Sequence, residues 1–210
     1  MKPYRIPAGH GEAAFVEKKS KFIGRIWPVE SEQEAQALLK SMREAHWDAN
    51  HNVYGYIIRA GNIMRYSDDG EPQGTGGQPV LHVLERQEIT NVLCVVTRYF
   101  GGTLLGAGGL VRAYSHGAKI ALEAAEIAEV RPWRQMELIC TYAQYERLSK
   151  VATEQGAVIE HTDFGADVTL SLLVSDSEGD NFCAHMTEVS AGTVLLEQKG
   201  VRELAVKIES

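Results

Sequence analysis

Residues 95–120, VVTRYFGGTLLGAGGLVRAYSHGAKI, place five glycines between an apolar run and a helical pattern, with basic residues on both sides. Gly101, Gly102, Gly106, Gly108 and Gly109 permit positive φ and let a ligand approach bare backbone. The helix that follows starts with unpaired N–H groups and the positive end of its macrodipole, which together suit an anion. The pattern is neither a Walker A loop, since no Lys-Ser/Thr follows, nor a Rossmann G-x-G-x-x-G. A tight turn would use the same glycines, so the neighbouring charges carry the argument. Arg98 closes the apolar run, where α/β folds commonly place ligand contacts. Tyr99 beside it suits stacking on a base, and Phe100 reads as core. Arg112, His116, Lys119, Glu123 and Glu126 recur at spacings of four, three, four and three, so they share one helix face. Basic first and acidic last is the reverse of what the macrodipole prefers, at about 0.3–1 kcal/mol per misplaced charge. That order makes sense if Arg112 reinforces a phosphate site. The alternative is an ion pair between Arg112 and the acidic loop at 68–71.

That loop, DDGEPQGTGGQP at 68–79, has no apolar residue and is long for an idle connection. Asp68, Asp69 and Glu71 could hold Mg²⁺ through water or act as a general base. Alternatively, Asp68 accepts backbone N–H bonds in a solvated turn. No H-E-x-x-H or G-x-S-x-G occurs, so no catalytic residue is assigned. His51 reads as structural, and KKSKF at 18–22 as a solvated basic turn.

The elements that must position these residues are legible. Strands are expected at 12–19 and 22–29. A helix begins after Ser31, with Glu34 completing a capping box and Ala35, Leu38, Leu39 and Met42 at helical spacing. Residues 52–59 and 62–67 read as a hairpin, and 79–88 as a helix with Pro79 in its first turn. NVLCVVTRYF has the continuous apolar run of a strand covered on both faces, and the glycine loop leads to a helix at 110–127. RPW at 131–133 marks a break between modules. Beyond it come a strand, a helix closed by Gly156, two strands joined at Gly165, a second helix, and a final interrupted strand or hairpin. That order, βαββαβ, is the ferredoxin-like plan.

Charge follows the same division. Residues 1–134 hold 16 Lys+Arg and 15 Asp+Glu, whereas 135–210 hold 5 and 13, within a net charge of −7 over 210 residues. An anion site therefore belongs on the first module, and the acidic second half argues against a protein that coats nucleic acid. With 44% hydrophobic and 23% charged residues the composition is that of a soluble globular protein. No apolar run is long enough for a membrane helix and no secretory h-region opens the chain, so the protein is expected in the cytoplasm, with no membrane partner. Cys94, Cys140 and Cys183 are scattered and form no C-x-x-C, which excludes a disulfide framework or zinc site.

SKFIG, HNVYGY, SDDGEPQGTGGQPVL and VVTRYFGGTLLGAGGLVRAY, in this order and spacing, resemble the IMPACT family in its bacterial YigZ branch. The resemblance implies an α+β chain. It gives 1–131 a ribosomal protein S5 domain 2-like fold and 134–210 a ferredoxin-like fold similar to domain V of translation factor EF-G. It also implies regulation of translation, as in the eukaryotic relatives. The expected function is a non-enzymatic, translation-associated protein that contacts RNA or the ribosome, without a cofactor. Arg98, Arg112, His116 and Lys119 would meet phosphates, Tyr99 would stack, and the glycine loop would donate N–H groups. The alternative is a Mg²⁺-dependent enzyme acting on a small phosphorylated or nucleotide substrate at the same loop, with Asp68, Asp69 or Glu71 holding the metal. The acidic C-terminal surface suits a protein partner.

Overall fold

The computed structural model describes residues 2–208. The chain forms two compact units, one of Tyr4–Glu129 rejoined by the segment from Ala205 onward, the other chiefly Val130–Leu204.

The first unit is built on an antiparallel sheet of β2 (Gly11–Glu17), β3 (Ser20–Pro28), β4 (His51–Ile58), β5 (Ile63–Ser67) and β6 (Val92–Tyr99), in the order β2-β3-β6-β4-β5. Strand β6 is central and buried along nearly its whole length. Its side chains alternate between two cores, as strand geometry requires. Leu93 and Val95 join Ala35 and Leu39 of α1 (Glu32–Ala45) on one face. Val92, Cys94 and Val96 meet α2 (Gly77–Arg86) and α3 (Ala107–Ala125) on the other. Covering both faces is what makes the NVLCVV run continuously apolar.

Helix α1 starts as its capping signal dictates: Ser31 Oγ accepts the Glu34 N–H at 3.2 Å. The Glu34 carboxylate reaches one residue further back than a capping box requires and accepts from Glu30 N at 2.7 Å. Helix α3 starts three residues earlier than its pattern suggests, because Gly108 and Gly109, two of its first three residues, have no side chain that periodicity could detect. A short strand, β1 (Tyr4–Pro7), was not legible in the sequence; it pairs with β7 (Ile127–Cys140).

In the second unit β7, α4 (Tyr142–Glu154), β8 (Val158–Phe164), β9 (Val168–Ser175), α5 (Gly179–Val189) and β10 (Leu195–Lys207) follow in turn. The sheet order is β10-β7-β9-β8. This βαββαβ chain with a 4-1-3-2 sheet is ferredoxin-like. Leu148, Ala152, Phe182 and Met186 of the helices pack on Leu138, Leu170 and Leu172. The two units divide between Glu129 and Val130, beside RPW, but the chain does not break there: Arg131, Pro132 and Trp133 lie inside the 14-residue β7, where the Pro132 carbonyl accepts the Asp176 N–H at 3.1 Å. Strand β10 is one uninterrupted strand, and past Ala205 it belongs to the first unit, where Ile208 N bonds the Ile127 carbonyl at 2.9 Å. No helix of the described residues is long and apolar enough to cross a membrane.

Candidate anion site at the start of helix α3

The acidic loop lies between β5 and α2. Asp68, one residue past β5, accepts the N–H groups of Gly74, Gly76 and Gly77 at 2.8, 2.9 and 2.9 Å. It therefore caps α2, whose own N-cap, Gly76, has no side chain to do so. Asp69 accepts Asn52 N at 2.6 Å with its carboxylate, and its carbonyl accepts from His51 Nδ1 at 2.8 Å. Glu71 is buried and accepts from Arg98 Nη1 at 2.6 Å and from the Tyr114 hydroxyl at 2.7 Å. The three carboxylates thus point to three different sets of donors. Among the described residues no three His, Cys, Asp or Glu side chains converge as a metal would need. The reading of Asp68, Asp69 and Glu71 as one Mg²⁺ site is corrected accordingly: each carboxylate is drawn to its own backbone or guanidinium donors, so the three do not converge.

Arg98 faces the α2/α3 side of the sheet, between its cross-strand neighbours Phe22 and His51. It is 5% exposed, and Nη2 reaches Ser20 Oγ at 3.4 Å. Arg98, not Arg112, is therefore the partner of the acidic loop. Burial, and then the bond to Glu71, push the Tyr114 hydroxyl well above its usual range, so it remains a donor to that carboxylate. Arg98 is thus committed to the fold and stands behind the glycine loop rather than on its surface.

Tyr99 is separated from Arg98 by the alternation of the strand. Its hydroxyl lies 2.8 Å from His46 Nδ1 and 3.3 Å from Asp48 Oδ1, near the C-terminal end of α1. A residue and its successor in a strand face opposite ways, so Tyr99 cannot stack on a ligand held by the α3 side. Burial, with Arg25 adding to it, holds the His46 imidazole below its ordinary value. The fold favours neutral His46, so its contribution is complete above the ordinary value of about 6.5 and is lost as pH falls through the lower folded value. The midpoint of urea unfolding is expected to decline from pH 7 to pH 5, and His46→Gln to flatten that decline. An unchanged slope in the variant would remove His46 from the account.

The glycine loop itself carries unsatisfied donors. Gly101 N bonds Ser20 Oγ at 3.2 Å, and a Cβ on Gly101 would stand 1.9 Å from the Lys19 carbonyl oxygen. The loop is therefore pressed against the β2–β3 turn at Lys18 and Lys19. Gly106 has φ 73° and begins α3 without any side-chain cap, and no acidic residue occupies the first turn. The first amide bonded back into the helix is Leu110 N, to Gly106 O at 2.9 Å. The amides of Ala107, Gly108 and Gly109 precede it and have no partner among the described residues. Arg112 and His116 line a hollow of about 470 Å³ with Lys18, Leu105 and Gly109. Arg112 has no ion-pair partner among the described residues, and His116 packs edge-on against Phe15 at 4.6 Å.

Of the residues singled out in the sequence, Gly106, Gly108, Gly109, Arg112 and His116 are thus brought together. Gly101 and Gly102 shape the loop. Lys119 lies away from it, 3.7 Å from Glu123 on the exposed helix surface. Lys18, whose sequence context reads as a solvated turn, lines the same hollow as Arg112 and His116. The signal for it was hairpin pairing: with Lys21 in register with Tyr99, the turn before β3 must come to the end of β6.

Two family models cover most of the chain. The Impact N-terminal domain matches residues 18–122, and a domain of unknown function, DUF1949, matches 138–193. The YvyE member of the IMPACT family in Bacillus subtilis is 35% identical over 183 residues, 87% of this chain and 84% of that one. The chain belongs to the IMPACT family. The YigZ member from Escherichia coli is 32% identical over 93% of this chain and 98% of its own. A crystal structure of a hypothetical protein is 32% identical, with a TM-score of 0.60 over 93% of this chain and 97% of that one. The rabbit Protein IMPACT is 32% identical over 104 residues, 48% of this chain and 32% of its own. The acidic loop and the glycine loop both lie within the Impact N-terminal match.

Proposed function

We propose that this IMPACT family protein is a non-enzymatic RNA-binding protein of the translation apparatus, taking backbone phosphates at the start of α3. One observation carries the reading: three successive amides, Ala107 to Gly109, stand unpartnered at the positive end of a 19-residue helix, with Arg112 and Lys18 beside them. Such a site matches phosphate oxygens in charge and in donor direction. The link to translation comes from the family resemblance. The binding reading is favoured over the enzymatic alternative because the carboxylates that alternative would use each hold donors within the fold. The acidic second unit would keep RNA on the first and leave its own surface for a protein partner.

The test is anisotropy titration of labelled ribosomal RNA fragments across about 50–200 mM salt. Affinity is expected to fall linearly in log–log form. Arg112→Ala is expected to reduce the slope by about 0.7 on unpaired RNA, the share of one released counterion. The reading fails if the unaltered protein does not bind at the lowest salt, or if Arg112→Ala leaves both affinity and slope unchanged.

A further inference from the structure

A second cavity, of about 390 Å³, opens on the other side of the α3 start, wholly within the first unit. Its floor is polar and its lip is apolar. Arg98, His51 and Glu71 lie at the bottom, while Phe100 and Leu104 stand at the mouth, 44% and 81% exposed. The sequence suggested that Phe100 packs in the core; instead the strand ends at Tyr99 and Phe100 turns outward. Two contacts hold it there. Phe100 N donates to Asn50 Oδ1 at 2.7 Å, and the Arg98 guanidinium sits 5.4 Å from the ring centroid. Arg98, more than nine-tenths buried, keeps an Nε with no partner. The Asp69 carbonyl can only accept, so His51 Nδ1 donates to it, while Nε2 faces Glu71 Oε1 at 3.7 Å across the cavity floor. The ring belongs to neither hydrophobic core of this unit and is held over polar groups at the mouth.

We infer that this cavity accepts the base of one unstacked nucleotide, lying against Phe100 and Leu104 while its phosphate meets the Ala107–Gly109 amides. The inference rests on the RNA reading above and adds to it a preference for unpaired strands. In an A-form duplex the bases are paired and stacked, and only a splayed base can enter a side-chain cavity. An aromatic platform of this kind tolerates any base, because each offers a π-face.

The experiment compares a labelled unpaired RNA of about twelve nucleotides with the same strand annealed to its complement. The single strand is expected to bind about tenfold more tightly. Phe100→Leu is expected to lose about tenfold in affinity for it, with no change in the salt slope, whereas Phe100→Tyr keeps a flat face and retains binding. Leu104→Ser, at a position too exposed to affect folding, is expected to weaken the single strand and leave the duplex unchanged. Equal affinity for both RNAs, or a Phe100→Leu protein that binds normally, overturns the base site while the phosphate site stands. Failure of the unaltered protein to bind either RNA overturns both.

Discussion

Replacing Glu71 with alanine is expected to destabilise the first unit by about 4 kcal/mol, because it leaves the buried Arg98 guanidinium without its carboxylate. Both side chains are almost wholly excluded from solvent, 6% and 3% exposed. Their pairing is therefore not the screened surface kind, worth less than about 1 kcal/mol. The Tyr114 hydroxyl loses its acceptor in the same change, and an unsatisfied buried donor adds about 1–3 kcal/mol at most. The diagnostic measurement is a double-mutant cycle by urea denaturation. Removing the charge from both sides, as Glu71→Ala with Arg98→Met, is expected to cost less than Glu71→Ala alone, since no charge then remains buried without a partner. A loss below about 1 kcal/mol in the single variant, as for an exposed pair, would show that water reaches Arg98 and that the network is not a core element.

The second large effect is expected at Asp68. Asp68→Ala removes the acceptor of three amides, two of them on the buried glycines at the start of α2. A side-chain cap is worth about 1 kcal/mol, and bonds to a charged acceptor about 1.5–3 kcal/mol. A loss of about 3 kcal/mol is therefore expected. Asp68→Asn keeps one carbonyl oxygen facing these donors and should recover part of it. Amide hydrogen exchange gives the local readout: Gly76 and Gly77 should lose protection in Asp68→Ala before the strands do. Protection that survives the substitution would mean that other acceptors hold the start of α2. Together these two variants test the acidic loop as a part that builds the fold.

How much could be read beforehand follows the range of each interaction. The Ser31 cap, the apolar run of β6, the hairpin at Ala60–Gly61 and the βαββαβ order depend on residues close together in the chain. They are encoded in local spacing, and they appear where the sequence places them. The helix after the glycine loop was equally legible as an element, though not its first turn, where Gly108 and Gly109 leave no periodic mark.

By itself, then, the sequence determined the two units, all their elements but β1, and a glycine stretch from which a helix begins beside basic residues. Only the tertiary structure decided which charges are free. Glu71 and Arg98 are 27 residues apart, and they meet because β4 and β6 pair with His51 opposite Arg98 while α3 brings Tyr114 over the same point. Tyr99 is turned away, Phe100 is turned outward, and Lys18 is carried to the loop by register and strand alternation. Those are long-range consequences of packing two helices on one face of a sheet, and no local pattern of residue types records them.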